Sequence, residues 1–317
     1  MNMNAAVRDG FKNGLSKGWD GFVWMIQIIM PVSLLTSLLA WSGWLREIDF
    51  IVQPLMNAVS LPAMAALPIV IGMFSSIYGA IAAMVVLPMN QTEMTLVAIF
   101  ALMAHNLIQE GIIQARSGIH PFKATVFRLV AACLTVMAVA ALMGYAPSGA
   151  AAAVAGPVPA RGPLDRALLE WLVATVKLSA IIFIVIMALL SVLEIMKSLG
   201  WIHPIVRACA PVLRLMGLNE KVGILWMTAV VFGLSYGGAV IVEEARQGHL
   251  TREDLETLHL SIGMNHSMVE DPSYFIALGL HPLWLYLPRL TAAILTVWII
   301  RLWYRIRDGR SAPSEKA

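Results

Sequence analysis

Charge is what this sequence lacks most. Asp, Glu, Lys and Arg make up 13% of its 317 residues, against about 25% in soluble domains. With 59% apolar residues and a mean hydropathy of +0.77, that shortage excludes an ordinary soluble domain. Several apolar runs reach the ~20 residues a helix needs to cross the hydrocarbon, so the chain reads as an integral membrane protein. Its small positive excess, net charge +3, belongs to loops kept on the cytoplasmic side rather than to a nucleic-acid surface. Cysteine is scarce as well. Cys133 and Cys209 form no C-x-x-C pair, which excludes a disulfide framework and leaves both as small core residues. No P-loop, dinucleotide fingerprint or zinc-finger spacing is present. The first twenty residues have no apolar core of the secretory kind. There Val7, Phe11 and Leu15 recur every four positions among Arg8, Lys12 and Lys17, the pattern of a short helix lying on the membrane surface.

What the chain does have is a second copy of itself. Met264-Asn265-His266-Ser267-Met268-Val269-Glu270-Asp271-Pro272 repeats Met103-Ala104-His105-Asn106-Leu107-Ile108-Gln109-Glu110-Gly111 at a distance of 161 positions (266 − 105). The offset holds without a gap from Gly118-Ile119-His120-Pro121 onto Gly279-Leu280-His281-Pro282, and from Arg128 onto Arg289. Matches that include His, Pro and Arg are not compositional accident in so apolar a chain. Five segments follow: a surface helix over 1–20, a first repeat over 21–144, an Ala/Pro/Gly connector over 145–167, a second repeat over 168–304 and a basic tail over 305–317.

Each repeat reads in the same order. A span (22–41, then 168–196) is followed by an amphipathic helix (44–61, then 201–218). Next comes an apolar segment interrupted by Gly and Ser, with Ser75-Ser76 at the first break and Ser235-Tyr236 at the second. A helix carrying His and acid (92–116, then 255–277) and a closing helix (121–143, then 282–304) complete each copy. If the interrupted segments crossed fully, Lys and Arg would be spread over both sides of the membrane. If each turns back as a re-entrant hairpin, each repeat crosses three times and the second is inverted. Arg8, Lys12, Lys17, Arg116, Lys123, Lys197, Arg207, Arg214, Arg246, Arg252, Arg305 and Arg307 then share one side, as the positive-inside rule requires. The expected fold is therefore an all-α polytopic membrane protein of two inverted repeats. Each has three membrane-spanning helices, one amphipathic surface helix and one re-entrant helical hairpin. It would sit in the cytoplasmic membrane of a bacterium with both termini cytoplasmic.

That order, with the two Gly/Ser tips, resembles the Gate-domain superfamily ("nucleoside recognition" domain). The superfamily includes concentrative nucleoside transporters, the membrane part of the ferrous-iron transporter FeoB, and the spore maturation proteins A and B. The chain is most similar to two spore-maturation-type halves fused together. The resemblance implies a substrate site made of hairpin tips and broken helices. Its matching positions here are Ser75, Ser76, Asn106, Glu110, Ser235, Tyr236, Asn265 and Glu270, with Asp271 beside them.

Ionisable groups inside a membrane span mark function by default. His105 and His266 are equivalent in the two copies, and each is followed five residues later by an acid, Glu110 and Asp271. With Glu270 they form the expected metal set, because imidazole and carboxylate together suit Fe(II), Mn(II) or Zn(II). The same set could relay protons for an organic solute. Gly111 and Pro272, just after the two acids, place the expected helix breaks. Arg128 and Arg289 are expected to pair with a carboxylate or a hairpin carbonyl, and His120 and His281 to precede helix-starting prolines in a structural role. H-E-x-x-H does not occur, and the Gly-x-Ser-x-Gly matches at Gly14–Gly18 and Gly233–Gly237 lie in helical segments with no strand to make a nucleophile elbow, so no enzymatic activity is expected. The leading expectation is a transporter with a midplane site for a divalent metal cation, as cargo or ligand. The alternatives are a transporter of nucleosides or other small solutes, coupled to H+ or Na+, and a non-transporting partner subunit. Expected partners are the lipid bilayer, the solute or metal ion, and further copies of the chain.

Overall fold

Hydrocarbon offers no hydrogen bonds to a backbone, so a chain this apolar has to satisfy its peptide groups within helices. The computed structural model describes residues 3–147, 162–201, 204, 208, 210–218, 220–248 and 250–311, with side chains except at 45–50, 210, 212, 214, 220, 221, 232, 234–236, 239 and 308–311. Among the described residues every element is helical. The order is α1 (Met3–Ser42), α2 (Trp44–Ala58), α3 (Ala66–Phe74), α4 (Ile77–Val85), α5 (Gln91–Ala104), α6 (Leu107–Arg116) and α7 (Pro121–Leu142). It continues with α8 (Leu164–Ser198), α9 (Ala210–Met216), α10 (Glu220–Arg246), α11 (Arg252–Asn265), α12 (Glu270–Ala277) and α13 (Pro282–Ser311). Among the described residues, five helical stretches are long and apolar enough to cross a membrane, namely 3–42, 91–116, 121–142, 164–198 and 282–307. The sixth stretch that the repeat leads one to expect, 252–277, is too polar to qualify. It does not face lipid: residues 256–267 are buried without interruption.

Residues 1–20 were expected to form a helix of their own. The structure instead continues residues 3–20 into the first span as one helix of 40 residues. The reason lies on the neighbouring stripe, about 60° round the helix from Val7, Phe11 and Leu15, which stay outward. Gly10, Gly14 and Gly18 are buried against α8, and a Cβ on Gly10 would stand 2.8 Å from the Cα of Ile195. Small residues at four-residue spacing let two helix backbones meet closely, the usual contact between helices in lipid. Lys17 closes the pair with an ion pair to Glu194 at 2.9 Å. At the other end of the chain, α13 runs on through residues 305–311. Of the connector, 148–161 lie outside the described residues, and α8 begins at Leu164.

Both interrupted segments fold back on themselves. α3 ends at Phe74 and α4 starts two residues after Ser75, capped by the Ser76 hydroxyl, which accepts from the Gly79 amide. A Cβ on Gly79 would meet Ile71 at 2.7 Å. In α10 the helix breaks at Gly233, whose φ of 72° lies in the left-handed region. A Cβ on Gly237 would meet the Cα of Ala229 at 2.7 Å. Residues eight apart lie about 12 Å apart along a straight helix, so each segment is a hairpin. The α2 helix meets α3 at 90°, with Ile51 and Leu55 fully outward, as an amphipathic helix on a membrane surface would lie.

Candidate functional site

The two helices that carry His and acid are broken, and they break at the histidines. α5 ends at Ala104, His105 is extended (φ −84°, ψ 165°), and Asn106 takes a left-handed φ of 57° before α6 begins. α11 ends at Asn265, His266 is extended (φ −61°, ψ 162°), and Ser267 takes a φ of 49°. The breaks expected at Gly111 and Pro272 are thus placed five to six residues too late. Gly111 sits inside α6, and Pro272 falls in the first turn of α12, where a proline costs no hydrogen bond because the first amides of a helix have no partner.

Each break is satisfied in the same way. The Asn106 amide donates to Gly72 O of the first hairpin at 2.9 Å. The Ser267 and Met268 amides donate to Ala229 O and Val230 O of the second hairpin at 3.3 and 2.8 Å. Gly233 allows this approach, since a Cβ there would stand 2.5 Å from Ser267 Oγ. On the carbonyl side, Arg128 donates to Met103 O and His105 O at 3.0 and 3.2 Å. Arg289 does the same for Met264 O and His266 O at 3.1 and 2.7 Å. These are carbonyls of the broken helices; of the two partners expected, a carboxylate or a hairpin carbonyl, Arg128 has the carboxylate, that of Glu110. A cation at a helix C-terminus also suits the helix dipole.

Unwinding at His105 and His266 turns both imidazoles toward one point. Their Nε2 atoms are 3.4 Å apart. His266 Nε2 lies 3.3 Å from Glu110 Oε1 and His105 Nε2 lies 3.5 Å from Asp271 Oδ2, so each histidine meets the acid of the other copy. His105 Nδ1 is 2.8 Å from Ala101 O and His266 Nδ1 is 3.2 Å from Ile262 O. Carbonyls only accept, which assigns the ring proton to Nδ1 and leaves each Nε2 with a lone pair. Glu110 Oε1 and Asp271 Oδ2 are buried with no hydrogen-bond partner among the described residues. Four acceptor atoms therefore face one another with no donor among them. Arg128 supports the group from behind, bonding Glu110 Oε2 at 2.5 Å, whereas the Nη1 of the equivalent Arg289 has no hydrogen-bond partner. Glutamate reaches both its arginine and the opposing histidine, and aspartate is one methylene too short for both.

The cluster forms one wall of a cavity of about 240 Å³, lined also by Trp24, Ser76, Tyr78, Asn106, Gln109 and Glu270. Glu270 stands apart from the histidines, its Oε1 accepting from Tyr78 Oη at 2.9 Å and Tyr274 Oη at 3.2 Å. The tight three-residue group that could hold a metal is His105, Glu110 and His266.

The chain resembles a bacterial membrane protein. It is 27% identical over 300 residues to the uncharacterised membrane protein YvoD of Bacillus subtilis (strain 168), across 92% of this chain and 95% of that one. No family model matches the chain, and no solved structure matches it. The likeness extends over both repeats and agrees with the apolar helices in making this a membrane protein. It names no cargo.

Several expected site residues stand elsewhere. Ser75 is exposed and outside the cavity, while its neighbour Ser76 lines it. Asn265 is buried with both amide atoms unpartnered, but it does not line the cavity. The side chains of Ser235 and Tyr236 lie outside the described residues. His120 and His281 are exposed at the starts of α7 and α13, and His281 Nδ1 accepts from the Leu283 amide at 3.2 Å. Tyr78, Trp24 and Tyr274 were not anticipated. Tyr78-Gly79 does recur as Tyr236-Gly237 at an offset of 158 (237 − 79), and this internal match was the available signal.

Proposed function

We propose that the protein carries a divalent transition-metal cation across a bacterial cytoplasmic membrane, held between His105, Glu110 and His266 with Asp271 beside them. One observation supports this above others: a buried set of four acceptor atoms with no donor, which only a cation or added protons can reconcile. The spacing is compatible with a metal: His266 Nε2 stands 3.3 Å from Glu110 Oε1 and 3.4 Å from His105 Nε2, near the ~3.3–3.4 Å edge of a tetrahedron of nitrogen and oxygen ligands, and the three ligand atoms all lie within 4.8 Å of one another. Imidazole with carboxylate selects Zn(II), Fe(II) or Mn(II) over Ca(II) and Mg(II).

Size argues against an organic cargo. Pockets for small molecules usually run to roughly 300–1,000 Å³, and about 240 Å³ falls below that range. Transport is supported by the likeness in element order to the Gate-domain superfamily, in which hairpins and broken helices hold the cargo. In this reading the two repeats are inverted in the membrane, the hairpins are re-entrant and both termini are cytoplasmic. The site binds and passes its ion rather than making or breaking covalent bonds.

Cobalt(II) titration of the purified full chain tests the site, because four-coordinate Co(II) absorbs far more strongly than six-coordinate. One Co(II) per chain with an intense visible band is expected, abolished in His105→Ala and in His266→Ala. Binding that survives both substitutions overturns the site. Full binding without protein-dependent Zn(II) or Mn(II) uptake into proteoliposomes overturns transport and favours a partner-subunit role.

A further inference from the structure

The cavity is larger than its metal-binding corner requires. A bare divalent ion on His105, Glu110 and His266 would leave most of the roughly 240 Å³ vacant. An ion with six waters, at about 30 Å³ of liquid volume each, needs ~180 Å³ and fits. The far side of this space is built around Glu270, and it exists in one copy only. At the positions equivalent to Glu270 and Tyr274, the first repeat has Gln109 and Ile113. Two tyrosine hydroxyls fix Glu270 through a single oxygen, and its other oxygen makes no hydrogen bond among the described residues. The Tyr78 ring packs edge-on against both Tyr274 and Trp24, at 5.5 and 5.8 Å between centroids. Trp24 is half-exposed, which places this side of the cavity toward the outside of the fold. Across from Glu270 stand neutral hydrogen-bonding groups, with Asn106 Nδ2 donating to Gln109 Oε1 at 2.9 Å. Asp271 Oδ2, on a residue 4% exposed and without a hydrogen-bond partner, lines the same space.

We infer that Glu270 marks a second, outer cation position in this cavity, one that takes the ion with its water shell intact. There the carboxylate, with Asn106, Gln109 and Ser76, hydrogen-bonds coordinated water rather than the metal. The ion sheds that water as it moves onto the inner His/Glu group. Tyr78 and Tyr274 are positioning residues that hold the carboxylate in place. With all three carboxylates (Glu110, Glu270, Asp271) ionised, the pocket carries one more negative charge than its two guanidiniums (Arg128, Arg289) supply, which favours a cation in the outer position while the inner one is empty. The inference rests on the cation reading above.

Hexaamminecobalt(III) separates the two positions, because its ammonia ligands do not exchange and it can only be recognised through its shell. Equilibrium dialysis with the purified full chain is expected to show binding that weakens roughly tenfold in Glu270→Gln, as for loss of one charged contact worth about 1.4 kcal/mol. Gln109→Glu keeps the acceptor for Asn106 and should tighten binding, which guards against misfolding of the first variant. The Co(II) band of the inner site should survive in Glu270→Gln. If wild type does not bind the complex, or binds it equally in Glu270→Gln and Gln109→Glu, the outer position is overturned while the Co(II) result stands. Loss of the Co(II) band from wild type overturns the inner site instead.

Discussion

A guanidinium buried away from water must find its donors' partners in the protein, and Arg128 finds three: the carbonyls of Met103 and His105 and the carboxylate of Glu110. It therefore neutralises an acid and ends a helix at once. Removing one member of such a buried pair leaves the other charged and unpaired, at a cost of about 3–5 kcal/mol. Arg128→Met is expected to lower thermal stability in detergent by that order, and Arg128→Met with Glu110→Gln to recover part of it. A double variant no more stable than the single one would show that the carbonyl bonds, not the ion pair, dominate. That these side chains belong together was legible in the sequence because the duplication put His, acid and Arg at matching positions. Which acid meets which histidine was not. Glu270 is four residues from His266 and would share its face on a regular helix, yet the partner of His266 is Glu110, from the other copy. Chain-local spacing carries no information about a pairing made between copies.

Among elements, the broken helices and hairpins work as one device, since the hairpin carbonyls take the amides that the breaks release. The sequence placed the hairpins through their Gly and Ser clusters. It misplaced the breaks because Gly111 and Pro272 look like helix breakers, whereas a proline in a first turn is a helix starter. The real signal, a left-handed residue after each histidine, falls on Asn106 and Ser267. Only the asparagine is a residue type that favours that conformation. The joint between α1 and α8 was missed for a related reason. Attention to Val7, Phe11 and Leu15 found an outward face, and the glycine stripe beside it carries no hydropathy. Gly14→Leu would drive a side chain into the backbone of α8 at Ser191. Overpacking of this kind costs about 1–3 kcal/mol or more, so a lower melting temperature is expected. Substituting outward-facing Phe11 by Leu should leave the melt unchanged. Equal effects of the two changes would mean that the helices do not meet along that stripe.

For the molecule as a whole, the proposed inversion of the two repeats makes a prediction about the sides of the membrane. Inversion places Arg116, at the end of α6, and Arg214 on the same, cytoplasmic face. Single cysteines at these positions, in a background with Cys133 and Cys209 replaced, are expected to react with an impermeant maleimide only when the cytoplasmic side is open to it. Labelling from opposite sides would mean parallel repeats. The helical, multi-span character of the chain was readable from composition alone. Residues 252–277 were readable only through their twin, because a polar segment buried by its neighbours resembles a soluble helix to any measure of hydropathy.

The crossing of His105 to Asp271 and of His266 to Glu110 has a further meaning. Neither half of the polypeptide holds the complete cluster by itself, so neither can drift on its own. A change in one histidine's surroundings is felt first by the acid encoded some 160 codons away. Such shared ownership would keep two fused halves in step long after the rest of their sequences had diverged.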